Sequence, residues 1–177
     1  MLEYSDFITI YFTEERIQSL FFIIIGVITL LLAAIFLFII KHSFFKGMAI
    51  SLLVIALIQL SVGISIYKSS LKDVERINHF MRQEPQKITI EEIPRMEKVI
   101  DNLIIYKLIE VLLIAVGIIV WLIFNKSPQT YWKGLALGLI IQSSVMLSLD
   151  LIAEKRAKNY CIELQLIKSN LISLPYK

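Results

Sequence analysis

The chain has 177 residues, of which 57% are hydrophobic, and its mean hydropathy of +0.74 excludes an ordinary soluble globular domain. Its formal net charge of +3 is small, and no basic cluster is interleaved with aromatic residues, so nucleic-acid binding is excluded as well. The single cysteine, Cys161, cannot form an internal disulfide. The composition therefore favours an all-α membrane protein.

Four apolar stretches predict transmembrane helices. Residues 17–40 and 47–67 carry no charge, and each run is long enough for a helix to cross a hydrocarbon core of about 30 Å. Residues 103–124 and 134–153 are interrupted only by Lys107, Glu110 and Asp150. We therefore predict one membrane domain with four spans.

The N-terminal segment, residues 1–13, mixes aromatic, β-branched and acidic residues and is predicted to lie at the membrane surface. Thr13 can accept a hydrogen bond as the N-cap of the first helix, with acidic residues following it at the positive end of the helix dipole. The first transmembrane hairpin is then residues 14–67.

The charged residues 68–102 are predicted to form a helical stalk outside the bilayer. Apolar residues, among them Ile77 and Ile100, keep i+3 and i+4 steps through this stretch and place one apolar face on each of two helices. The second hairpin, residues 103–153, follows, and residues 154–177 continue the spacing as a C-terminal amphipathic helix and tail. A three-helix extension of the membrane domain is therefore expected.

Basic residues are unevenly distributed between the two ends of the predicted spans. Arg16, seven residues of the stalk and five of the C-terminal segment make thirteen lysines and arginines at one end of the spans, against four in the two short turns. Since cytoplasmic loops are enriched in lysine and arginine, we expect both termini and the helical extensions in the cytoplasm, with the protein in the inner (plasma) membrane.

Two stretches of the chain are alike, FKGMAI at residues 45–50 and WKGLAL at residues 132–137. Each opens a span that carries a stripe of small and polar residues at i, i+4 steps. We therefore predict that the four spans form two pseudo-repeated hairpins, related by an axis along the membrane normal. Small residues let helices approach closely, and the predicted packing positions are Gly26, Gly47, Ser51, Gly63, Gly117, Gly134 and Gly138.

Glu110 and Asp150 are the least expected residues within the spans. At 1.5 Å per residue they lie about 21 Å and 24 Å from the turn that joins their helices, so they share one depth. Lys107 lies one turn before Glu110, and Arg156 lies just beyond Asp150. Because a charge at the bilayer centre costs at least about 2.5–3.5 kcal/mol, these four side chains are expected to face inward and pair.

Two interpretations of this intramembrane polar cluster remain open. In the first, Lys107 and Arg156 neutralise the acids and form a polar clasp that fixes the register of the helices. In the second, the acids form a proton- or ion-responsive site, because two close carboxyls in a low dielectric favour sharing a proton. Near mid-membrane, Gln59 and Gln142 are expected to be interhelical hydrogen-bond donors.

An enzyme is not expected. His42 and His79 stand alone in the sequence. The sequence contains no phosphate-binding glycine loop, no metalloprotease motif, no nucleophile elbow and no paired-cysteine motif. We assign no catalytic, cofactor-binding or metal-binding residue and expect no cofactor.

A resemblance supports the same class. The segment RMEKV at residues 95–99, and the segment from Gln142 through Asp150 to Ala157, resemble a group of small four-span bacterial membrane proteins of unassigned function. The resemblance covers most of the chain and implies an integral inner-membrane protein without a known activity.

The sequence therefore predicts a non-enzymatic membrane protein that binds a protein partner through its spans or stalk. Such a protein is an accessory subunit or an immunity protein against a membrane-targeted toxin. The alternative is a small oligomeric channel or proton-coupled transporter that uses Glu110 and Asp150. The expected partners are the lipid bilayer, a protein and a second copy of the chain.

Overall fold

A computed structural model of the chain describes residues 2–173, and the side chains of residues 7–169. The described residues form four long helices: α1 (Leu2–Phe38), α2 (Ser43–Gln83), α3 (Ile93–Phe124) and α4 (Thr130–Ser173). A five-residue π-helical segment, Ile88–Glu92, leads into α3. Each of the four helices is long and apolar enough to cross a membrane. The predicted all-α class, with four helices that could span a membrane, is thus confirmed, and the tail beyond residue 173 lies outside the described residues.

Short turns join the helices. Between α1 and α2, Lys41 takes a positive φ of 41°, and His42 caps α2 by accepting a hydrogen bond from the Phe44 N–H at 3.3 Å. Between α2 and the π-helical segment, the Lys87 ammonium donates to Glu84 at 2.8 Å, and this hydrogen bond lowers the pKa of the Glu84 carboxyl. The chain therefore reverses direction three times with little irregular backbone.

The helices pack as two antiparallel hairpins, α1 with α2 and α3 with α4, and the hairpins meet mainly through α2 and α4. Within the described residues, no Cα atom of α3 comes within 8 Å of one in α1 or α2. The helix α4 therefore has α1 and α2 on one side and α3 on the other, and a space remains between α3 and the first hairpin.

The closest approach of two helices is between α2 and α4, near the short turns. A Cβ atom added to Gly47 would overlap the carbonyl oxygen of Tyr131, and one added to Gly134 would overlap the carbonyl oxygen of Phe44. The contact is reciprocal, since each glycine faces backbone of the opposite helix. Glycine is required at both positions because any side chain would push the two backbones apart.

The other predicted packing positions also face neighbouring helices. An added Cβ at Gly138 would meet Ser51, and one at Gly117 would lie 3.1 Å from the Ala136 carbonyl oxygen. At Gly26 the nearest atom is the Leu60 Cγ at 2.8 Å, and at Gly63 it is the Phe22 Cβ at 3.0 Å.

The N-terminal segment differs from the expectation. Helix α1 continues without a break through Thr13, whose hydroxyl donates to the Thr9 carbonyl oxygen at 2.7 Å within the helix. The expected N-cap at Thr13 is therefore wrong. Because the helix is continuous, it carries Ile8 and Phe12 away from the spans and buries them against the other helices.

The helices extend past their apolar runs into a second packed region, which we name the extension. Its core contains Tyr11 and Tyr160, whose rings stack with centroids 4.0 Å apart. The remaining buried members are Ile8, Phe12, Ile77, Phe80, Ile88, Ile93, Met96, Ala157, Cys161, Leu164 and Ile167. The stretches predicted to form a three-helix stalk therefore share this core with Ile8, Tyr11 and Phe12 of α1.

Candidate functional site

A cavity of about 580 Å³ occupies the space between α3 and the first hairpin, with α4 as its floor. We name it the cleft. All four helices contribute to its walls, which include Gln18, Phe22, Ile58, Val62, Ile109, Glu110, Ser143 and Asp150. Ligand sites of proteins are concave, mostly apolar and about 300–1,000 Å³ in volume, with a few polar groups that orient the ligand. The cleft has these properties.

Glu110 of α3 and Asp150 of α4 lie beside each other in the wall of the cleft, within hydrogen-bonding reach. Both side chains are more than nine-tenths buried. Neither carboxyl oxygen of Glu110 meets an N–H or O–H donor within the described part of the chain, so a hydrogen bond between the two acids requires that one of them carry a proton. The Ser143 hydroxyl, on the same wall as Asp150, is likewise buried without a partner there. The cleft thus holds polar atoms that protein groups leave unsatisfied.

The two cations of the predicted clasp bind elsewhere. The Lys107 ammonium forms an ion pair with Glu154, one turn beyond Asp150 on α4. The Arg156 guanidinium donates to the Gln18 side-chain oxygen and lies over the Tyr11 ring, 5.6 Å from its centroid.

The pairing expected in the clasp is therefore corrected. Long basic side chains near the end of a span extend toward the water interface, where Glu154 and Gln18 offer partners. Lys107 still attracts Asp150 electrostatically, whereas the charge acting on Glu110 is that of Asp150. Glu110 is therefore the less compensated of the two acids.

Gln59 and Gln142 form a polar layer among α1, α2 and α4. The Gln142 amide nitrogen donates to the Gln59 side-chain oxygen at 2.6 Å, and the Gln59 amide donates to the Phe22 carbonyl oxygen at 3.0 Å. The Thr29 hydroxyl donates to the Gln142 side-chain oxygen at 3.4 Å. Both amides thus satisfy each other and the backbone, and neither lines the cleft.

Near the extension, the cleft ends at a cluster of charges that the sequence did not single out. Glu92 is 1% exposed and accepts hydrogen bonds from Arg95 at 2.6 and 2.8 Å and from Arg76 at 3.2 Å. Arg95 also pairs with Asp73 at 3.6 Å. Of these four residues, Asp73 and Arg95 line the cleft. In the sequence, the ion pair of Glu92 with Arg95 was signalled only by their i, i+3 spacing.

Comparison of this chain with protein families, with characterised proteins and with solved structures finds no match. The resemblance to small four-span bacterial membrane proteins thus agrees with the structure at the level of four apolar helices, and no family assignment follows.

Proposed function

We propose that this chain is a non-enzymatic multi-pass membrane protein that works as a small proton-coupled transporter through Glu110 and Asp150. The observation that supports this function is the Glu110 carboxyl, which lines a 580 Å³ cleft beside a second acid, Asp150, and meets no N–H or O–H donor in the described residues. Of the two functions that the sequence left open, a transporter makes use of such a group, whereas binding of a protein partner does not require it.

The chemistry follows from the cost of an uncompensated charge in the membrane. A carboxylate at this depth is stabilised by a proton or by a bound cation, and two adjacent carboxyls offer one place for either. Exchange of a proton for a cation at this place couples the movement of one to the movement of the other. Glu110 binds the exchanging species, and Asp150, which Lys107 attracts, holds it from α4.

A flux assay in liposomes tests the function. Liposomes containing the protein are given a pH gradient and an opposing cation gradient, and internal pH is followed with a trapped dye. We expect a protein-dependent flux that Glu110→Gln abolishes, because an amide cannot exchange a proton. Glu97→Gln is the matched control, since Glu97 is an exposed acid on the same helix outside the cleft. Equal flux through the two variants, or none through the unmodified protein, would contradict the proposal.

We also propose that both termini and the extension are cytoplasmic, on the evidence of the basic residues. Native Cys161 is a poor reporter of this orientation because it is buried in the extension. In a Cys161→Ala background, Ser127→Cys should react with an impermeant maleimide in intact cells, and Ser169→Cys should not. The reverse pattern would place the extension outside the cell.

The two hairpins are further proposed to be internal repeats. The reciprocal contact of Gly47 and Gly134 supports this relation, since equivalent residues of the two FKG/WKG segments meet each other's backbone. Parallel repeats of this kind place a ligand site at their interface.

Binding of a protein partner is the second candidate, and the packing of α3 favours it. This helix contacts α4 but neither α1 nor α2 closely, and its apolar span is the least buried of the four. Leu108, Leu112 and Leu122 are each at least 60% exposed on it. Purification from native membranes in mild detergent tests this candidate, and a stoichiometric protein that Leu112→Trp releases would support it over transport.

A further inference from the structure

We propose that the cleft binds a lipophilic organic cation, which enters from the bilayer between α2 and α3. The inference names the substrate class of the proposed transporter and rests on that function for the transport step, while binding itself rests on the geometry of the cleft. Three features carry it: the charge of the walls, their apolar surface and the opening to lipid.

The charge of the cleft favours a cation. Glu15 of α1, Asp73 of α2, Glu110 of α3 and Asp150 of α4 face it. The opposing cations are Arg95 and Arg156, whose Nη groups are engaged, although the buried Nε–H of Arg156 has no partner in the described residues. Arg95 binds Glu92 and Asp73, and Arg156 binds Gln18 and covers Tyr11.

This leaves Glu110 as the acid without a protein donor. Glu110 is only 5% exposed, and its side chain contributes to the wall of the cleft. A ligand cation beside it would supply the missing charge in a setting where water and counter-ions are scarce. An anionic ligand would instead meet the uncompensated acids.

The apolar walls of the cleft fit an organic cation better than a small hydrated metal ion. Between the acids and the lipid, the walls are formed by Ile58, Val62 and Ile66 of α2 and by Tyr106 and Ile109 of α3. A bare metal ion would leave this surface uncovered, whereas an organic cation with aromatic or alkyl substituents covers it. The Tyr106 ring can also contact a cation through its π face.

The same residues form an opening to the membrane. Ile58, Tyr106 and Ile109 are each about half exposed, and they stand on helices whose Cα atoms stay more than 8 Å apart in the described residues. A lipophilic cation concentrates in the bilayer and can reach Glu110 through this gap without crossing the extension. The core of the extension closes the other end of the cleft.

Two ions of one shape and opposite charge test the proposal. Equilibrium binding of radiolabelled tetraphenylphosphonium and tetraphenylborate is measured on the protein in nanodiscs, with protein-free nanodiscs of the same lipid as background. We expect saturable binding of the phosphonium at least tenfold tighter than that of the borate. Glu110→Gln should weaken phosphonium binding about tenfold or more, and Glu97→Gln should leave it unchanged.

A second pair of variants tests the apolar wall without touching the acids. Ile109→Trp should obstruct the cleft and reduce phosphonium binding at least tenfold, whereas Ile105→Trp, half exposed on the same helix but outside the cleft, should not. Both positions are exposed enough to accept a larger side chain, so folding is retained and is checked by thermal melting.

The possible results separate the two proposals. Equal binding of both ions, binding unaffected by Glu110→Gln and Ile109→Trp, or no binding above background would overturn the substrate class. Selective phosphonium binding without any proton flux would uphold the site and overturn transport. A proton flux that Glu110→Gln abolishes, with no phosphonium binding, would uphold transport and overturn the lipophilic cation.

Discussion

Replacing Glu110 with leucine is expected to stabilise the folded protein and to abolish its proton flux. The Glu110 carboxyl is buried beside that of Asp150, and neither of its oxygens meets an N–H or O–H donor in the described residues. Leucine keeps a similar volume, removes the buried oxygens and ends the electrostatic repulsion between the two adjacent acids. A residue retained for function at a cost in stability should behave in this way.

The magnitude follows from the burial of an unsatisfied group. Leaving a buried polar group unpaired costs about 1–3 kcal/mol, so Glu110→Leu should raise the free energy of unfolding by on the order of that amount. Gln142→Leu is the contrasting variant because it removes hydrogen bonds to Gln59 and Thr29. Interhelical hydrogen bonds in membranes average about 0.6 kcal/mol and reach about 1.7, so losing this pair should cost about 1–3 kcal/mol.

The two variants should therefore move stability in opposite directions. Unfolding in mixed micelles of increasing SDS content, followed by the fluorescence of Trp121 and Trp132, measures the difference. A gap of about 1.4 kcal/mol between the variants corresponds to a tenfold difference in the unfolding equilibrium constant. Destabilisation of Glu110→Leu as large as that of Gln142→Leu would refute the argument, since it would show that Glu110 is held by favourable contacts, as in the clasp.

Three further predictions use the same unfolding assay. Gly47→Ala should lower the free energy of unfolding by on the order of 1–3 kcal/mol, because the added methyl group meets the backbone of Tyr131. Gly26→Ala should cost less, because its methyl group meets the Leu60 side chain, which can rotate away. Equal effects of the two variants would contradict the close approach of α2 and α4. Glu92→Ala should cost about 1–3 kcal/mol, because it removes the buried acceptor of Arg76 and Arg95, which are themselves partly exposed and can turn to water, and no measurable effect would show that these ion pairs contribute nothing. Ile77→Asp should expose the extension to limited proteolysis, whereas Leu71→Asp, which is half exposed, should not.

The four apolar helices could be predicted because a long run of apolar residues without charge is stable in few environments other than a lipid bilayer. The spacing of Ile77 and Ile100 predicted packing outside the spans, and Ile77 is fully buried in the extension, with Ile100 against the same core. Gly47, Gly134 and Gly138 were predicted from their small size, and each faces backbone or side-chain atoms of the opposite helix. These features depend on local periodicity and on residue volume, which a sequence displays directly.

The partners of the charged side chains could not be predicted in the same way. Lys107 can reach several acids within one or two turns of its depth, and its contact with Glu154 depends on the rotation of α3 against α4. Arg156 binds Gln18, which is 138 residues away in the chain. Such contacts follow from the three-dimensional arrangement, so a sequence that places charges at one depth does not decide which of them pair.

The N-terminal segment was misjudged for a different reason. Ile8 and Phe12 are one turn apart and continue the helical spacing of α1, so a signal for a longer helix was present. The acidic residues around Thr13 also matched a helix N-terminus, and that local pattern was given more weight. Burial of the two apolar side chains in the extension outweighs a capping preference of about 1 kcal/mol, because each contributes about 1.5–3 kcal/mol.

One face of α4 explains why the cleft lies where it does. The residues Gly134, Gly138, Gln142, Met146 and Asp150 follow each other at i, i+4 steps along that face. The two glycines hold α2 at backbone contact, and Gln142 spans a wider gap with a side-chain hydrogen bond. Met146 and Asp150 line open space instead. Larger side chains replace glycine beyond Gly138, so this face of α4 carries the close glycine contact at one end and contributes to the cleft at the other.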